Sequence, residues 1–170
     1  MDRNRVDRGK YASITGRIVE MEPHGFRNGM MDSCMILVGV ESEDGNRNHF
    51  IVGRNTFVVD FETLRIGMQC TFWYRTDVPM ILIYPPQYRA VVAAVTEAER
   101  SIDVAFYDDM LRNDTGTLQL NPDRTTRIRM TNNQIYLGNL AGKDLVVIYE
   151  MSTRSIPAQT TPEEIYVLCE

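Results

Sequence analysis

The chain has 170 residues, 44% hydrophobic and 24% charged, with a formal net charge of −5 and a pI near 5.1. That composition suits one ordinary globular domain or two small ones, and it excludes a disordered chain. The acidic balance speaks against a protein that tracks duplex nucleic acid by its phosphates, and no apolar run is long enough for a membrane helix.

Residues 1–9 read as a polar arm of mixed charge without the apolar stretch of a signal peptide. The three cysteines, Cys34, Cys70 and Cys169, show no CxxC spacing, so a reducing compartment fits and the expected address is the cytoplasm. Residues 11–21 are β-branched and broken by Gly16, the pattern of a strand with a bulge or sharp bend. Residues 23–33 read as a loop. Strands at 34–41 and 48–52 flank Asp44-Gly45, a strong hairpin signal. A short strand at 56–59 precedes one helical turn, residues 61–67, ended by Gly67. Strands at 68–75, 80–84 and 90–95 complete a first unit.

After the short charged joint at 96–100, residues 101–107 alternate, with Ile102, Val104 and Phe106 on one face. Strands are expected near 117–120 and 125–130, then at 143–149, 153–156 and 163–169. Asn139-Leu140-Ala141-Gly142 parallels Leu64-Arg65-Ile66-Gly67.

These two halves repeat each other. Gly67 leads to Tyr74 and Gly142 to Tyr149, seven residues in both copies. A Pro-x-Gln motif follows each, Pro85-Pro86-Gln87 and Pro157-Ala158-Gln159, and each Gln stands eight residues before a valine, Val95 or Val167. Matching elements with loops of unequal length are the mark of a duplicated supersecondary unit. The fold expected is all-β, two tandem OB-like small β-barrel units at 10–96 and 101–170 with a short helical turn in each. Cys70, Phe72 and Tyr74, with Leu145, Val147 and Tyr149, form the core face; Thr71 and Trp73, with Val146 and Ile148, form an apolar second face suited to packing between units or subunits.

Residues 21–35 hold four methionines, one histidine and one cysteine. Met21, His24, Met30, Met31 and Cys34 are soft donors that suit copper(I). Their spacing follows no ligand geometry, and methionine also fills irregular apolar gaps, so a loop folded over the barrel is the plainer expectation. With two histidines, a Cys–His or Ser–His pair is arithmetically possible, for example Cys34 with His49; no nucleophile elbow, P-loop or His-Glu-x-x-His accompanies it. Cys34, opening an apolar strand, is expected to be buried and inert.

Prolines end strands and hold exposed turns, and a following Gln can satisfy main-chain groups that they leave unpaired. The Pro-x-Gln motifs therefore also read as a recognition rim, with Trp73, Tyr84, Gln87, Tyr88, Arg89 and Gln159 as partner-binding residues. Arg outnumbers Lys sixteen to two, which suits planar, bidentate partner contacts.

Ile83-Tyr84-Pro85-Pro86-Gln87-Tyr88 and Ser155-Ile156-Pro157-Ala158-Gln159-Thr160-Thr161-Pro162 resemble a family of uncharacterised bacterial proteins, commonest in clostridia and related spore-formers. The Ile-Pro-Ala-Gln ending is similar to segments near copper-amine-oxidase-N-terminal-like modules of bacterial surface proteins. The resemblance implies no assigned activity. The expected function is a non-enzymatic binding or scaffolding module without a cofactor, which binds a protein partner or itself. Single-stranded nucleic acid or glycan on an OB-like face is the alternative, and metal handling or hydrolysis the third.

Overall fold

The computed structural model describes residues 9–79 and 82–169. The arm at 1–8 and the start of the strand expected at 80–84 lie outside the described residues, as does Glu170. The chain is all-β, about 52% strand and 2% helix, and its class is a β-solenoid of about 3 turns with mixed sheets. The expectation of two OB-like barrels is thereby corrected. Four parallel strand pairs overturn it, and no local sequence pattern distinguishes them from the antiparallel ladders of a barrel.

Chain contacts divide into two compact units, Ala12–Thr96 and Glu97–Glu170 with Met1–Tyr11. The first holds strands β1 (Tyr11–Arg27), β2 (Met30–Glu41), β3 (Arg47–Val52), β4 (Phe57–Val58), β5 (Gln69–Arg75), β6 (Gln87–Arg89) and β7 (Val92–Val95), joined in the order β4-β7-β5-β1-β2-β3-β6. The helical turn expected at 61–67 is instead a 3-10 turn at Val59–Phe61, with a further turn at Gly67. The second unit holds β8 (Ser101–Tyr107), β9 (Leu118–Leu120), β10 (Arg127–Met130), β11 (Lys143–Tyr149), β12 (Ala158–Thr160) and β13 (Glu164–Val167). Its sheets run β10-β13-β11-β8 and β12-β9.

The segment expected as a loop at 23–33 is the outer half of the β1–β2 hairpin. Asn28-Gly29 closes it with φ of 53° and 77°, the left-handed pair that a tight hairpin turn needs and that Asn-Gly supplies at little cost. A register shift between His24 and Phe26 bulges the outer half. At Gly16 a Cβ would meet the Glu41 carbonyl oxygen at 2.5 Å, so glycine lets the two strands approach.

The repeat read from spacing reappears in the hydrogen bonds. Cys70 pairs with Val95 across β5 and β7, and Leu145 with Val167 across β11 and β13. Gly67 N–H donates to the Ile18 carbonyl at 2.8 Å, and Gly142 N–H to that of Tyr107 at 2.9 Å. Val91 N–H reaches Trp73 O at 2.8 Å, and Glu163 N–H reaches Ile148 O at 3.0 Å. The Thr56 hydroxyl donates to the Ala90 carbonyl and accepts from Gly53 N–H; Thr126 does both with Pro162 and Asp123. Both Pro-x-Gln motifs begin with a cis peptide, Tyr84-Pro85 and Ile156-Pro157. The units thus share one wiring.

Each unit has its own core. Ile18, Val38, Val40, Phe50, Cys70, Phe72, Ala90 and Ala93 fill the first, and Ala105, Tyr107, Leu118, Leu120, Leu140, Leu145, Val147, Ile165 and Val167 the second. Tyr74 and Tyr149 are half-buried and sit at the margins of these cores. Among the described residues, the second unit has no counterpart of β2. Single bridges, Tyr107 to Asn113 and Arg112 to Gln119, stand there instead.

Candidate functional site

In the first unit a cleft of about 550 Å³ opens along β6, a size suited to a small ligand or a short peptide segment. Its floor is aromatic. Phe50 stacks on Phe72 with ring centroids 4.7 Å apart and on Tyr88 at 5.5 Å, and Tyr88 meets Tyr74 at 4.1 Å. Phe50 and Phe72 are fully buried, whereas Tyr74 and Tyr88 are half-buried and line the cleft.

Three arginines line the walls, Arg54, Arg75 and Arg89. Arg75 is gripped by Asp77, with Nε–Oδ1 at 2.9 Å and Nη2–Oδ2 at 2.8 Å, a bidentate pair that fixes its guanidinium. Arg54 and Arg89 are exposed and have no ion-pair partner among the described residues. Gln87, Asn55 and Thr56 add amide and hydroxyl groups. Asp32 and Cys34 stand on the rim where β2 bulges; Ser33 between them has φ 58°, and Asp32 Oδ1 accepts from Cys34 N–H at 3.2 Å.

Edge chemistry is the second feature of the cleft. β6 is the last strand of its sheet and runs parallel to β3. His49 N–H donates to the Pro86 carbonyl at 2.8 Å, and Ala90 N–H to that of Ile51 at 3.0 Å. With His49 opposite Gln87 and Ile51 opposite Arg89, this phase turns the main chain of Tyr88 towards β3. The N–H and C=O groups of Gln87 and Arg89 face outward, and among the described residues nothing bonds to them.

Of the six residues expected at a recognition rim, Gln87, Tyr88 and Arg89 line the cleft together. Tyr84 is 88% exposed but does not line it, and Trp73 is only 7% exposed, so its indole offers no surface. Gln159 belongs to the other unit, where its side-chain oxygen accepts from Asn121 Nδ2 at 3.0 Å. Sequence reasoning missed Arg54, Arg75, Asn55, Thr56 and Asp32, and it assigned Tyr74 to the core alone.

The soft donors are strung along the hairpin instead of converging. Met21 lies opposite Val38 and packs against the core, His24 lies opposite Met35, and Met30 lies opposite Arg27. From the Met21 row to the Met30 row the ladder runs about 20 Å at strand rise. Met30, Met31 and Cys34 are exposed, and no group of three or more His, Cys, Asp or Glu suited to a metal occurs among the described residues. Cys34 is therefore not the buried thiol expected. His49 lies 3.6 Å from Glu20, between Nε2 and Oε2. The buried thiol is Cys70, which burial, helped by Glu62, pushes up to about 11.

The second unit buries a polar cluster around Asn113. Tyr107 Oη donates to Asp103 at 2.5 Å, Asn113 Nδ2 donates to the same carboxylate oxygen at 3.2 Å, and the Asn113 side-chain oxygen accepts from Thr117 and Leu118 N–H. Burial raises the Asp103 carboxyl above its ordinary range; the Tyr107 and Asn113 bonds oppose this, and Asp114 adds to it. A carboxyl that binds its proton more tightly when folded stabilises the fold below its raised value and loses that contribution as pH rises through it. The unfolding free energy of the native chain relative to Asp103→Asn should therefore fall as pH climbs from the ordinary aspartate range towards neutrality. Urea titrations at a series of pH values test this, and a difference that is flat or rises with pH contradicts it.

Fold and cleft together define a duplicated all-β chain with an arginine-walled, tyrosine-floored cleft on an open strand edge. No family model, curated protein or solved structure matches the chain. Among the described residues, no helix is long and apolar enough to cross a membrane.

Proposed function

We propose that this protein is a non-enzymatic binding module whose cleft in the Ala12–Thr96 unit holds an acidic segment of a protein partner. The observation that carries the reading is the convergence of Arg54, Arg75 and Arg89 with the half-buried Tyr74 and Tyr88 along one cleft. Guanidinium groups pair with carboxylates, and tyrosine faces take apolar or planar side chains at low entropic cost. The duplication supports it from within the chain. By the shared wiring, Arg75, Tyr88 and Arg89 correspond to Glu150, Thr160 and Thr161, so one copy carries the cationic, aromatic set and the other does not. The exposed free thiols of Cys34 and Cys169 favour a cytoplasmic address.

Single-stranded nucleic acid is the competing reading, favoured by the same arginines and tyrosines and opposed by the net charge of −5. Isothermal titration decides between them. A heptapeptide alternating glutamate with valine around a central phenylalanine should bind, and its lysine-for-glutamate counterpart should not. Arg54→Ala with Arg89→Ala should weaken the acidic peptide about tenfold, as for two partly exposed charge contacts. Binding of an oligothymidylate that weakens steeply with salt, with no binding of the acidic peptide, overturns the protein-partner reading.

A further inference from the structure

The second unit shows what an occupant of this edge looks like. β12 is the counterpart of β6, and Gln159 that of Gln87. There Thr153 lies against the outer edge: its N–H donates to the Gln159 carbonyl at 2.9 Å, and its hydroxyl accepts from Gln159 N–H at 2.9 Å. The same edge position is thus closed by the chain itself in one copy. In the other, the main chain of Gln87 and Arg89 has no such partner among the described residues.

We infer that the partner binds by strand addition, an extended acidic segment laying its main chain along the Gln87 and Arg89 edge of β6 in the place that Thr153 takes in the second unit. The inference rests on the reading of the cleft as a site for an acidic segment. An unpaired strand edge offers N–H and C=O groups at alternate residues, which an extended peptide satisfies with its own. Side chains of such a peptide alternate in direction. One set is directed to the Tyr74 and Tyr88 side of the cleft; the other is directed to the guanidinium groups of Arg54 and Arg89. Gln87 and Arg89 are two residues apart, so their outward groups match the spacing of one strand.

The test compares three forms of the glutamate–valine heptapeptide: unmodified, N-methylated at every glutamate, and N-methylated at every valine. In a strand only one of those sets of N–H groups faces β6, so one methylated peptide should lose at least tenfold in affinity while the other stays near the parent. Equal affinities for the two methylated peptides, with the parent bound and sensitive to Arg89→Ala, overturn strand addition and leave the cleft assignment standing. Failure of the parent itself to bind overturns both.

Discussion

Phe50→Ala should remove about 3–5 kcal/mol from the stability of the first unit, the usual cost of truncating a fully buried phenylalanine. Phe50 is 0% exposed and stacks between Phe72 and Tyr88, so its loss leaves a cavity beneath the cleft floor. The same substitution should release the Tyr88 ring from its support and weaken peptide binding even below the unfolding midpoint. Guanidinium denaturation with tyrosine and Trp73 fluorescence reads the stability, and a loss under 1 kcal/mol would refute the role of Phe50 as the centre of that core. Leu120 occupies the corresponding place in the second unit and is 2% exposed, so Leu120→Ala should cost about 2–5 kcal/mol there.

Asn113→Ala should cost the second unit about 3 kcal/mol. Asn113 is 4% exposed, and its side chain serves four partners: Asp103, the Thr117 hydroxyl, and the N–H groups of Thr117 and Leu118. Alanine strands two main-chain donors and leaves the Asp103 carboxylate to Tyr107 alone, and each orphaned group costs about 1–3 kcal/mol. The structural reason for this reliance is that, among the described residues, the second unit has no counterpart of β2. Where the first unit has a ladder between β1 and β3, the second holds β8 to β9 through Asn113 and two single bridges. Asn113→Asp keeps the acceptor and loses the donor beside a buried carboxylate, and it should be worse than alanine at neutral pH and recover on acidification. A melting temperature unchanged in Asn113→Ala would contradict the bracing role.

The duplication was legible because it lives in local spacing. Glycine-ended turns, seven-residue strands and Pro-x-Gln motifs are short-range patterns, and they landed on matched hydrogen bonds such as those of Gly67 and Gly142. The strand order was not legible. Whether Gln87–Arg89 and Ala158–Thr160 are turns or parallel strands depends on β3 and β9, which lie far away in sequence. A three-residue run after a proline carries no periodicity that could show it. The β1–β2 hairpin was missed for another reason: Asn28-Gly29 is a hairpin signal as strong as Asp44-Gly45, but both faces of its flanks are exposed, so no apolar alternation marks the strands. Of the residues that line the cleft, Gln87, Tyr88 and Arg89 stand out in the sequence. Arg54 and Arg75 do not, since what brings them to the same cleft is the sheet and not the sequence.

On the proposed function, an acidic segment is recognised by the first unit's cleft and not by its counterpart in the second. An amide-resolved NMR titration of the isotope-labelled full chain with the acidic heptapeptide tests it most directly. Shifts are expected at Arg54, Arg75 and Gln87 to Arg89, with the amides of Ala158 to Thr161 unmoved. Shifts centred on residues 158–161, or no shift at Gln87 to Arg89 with the peptide at millimolar concentration, would contradict it.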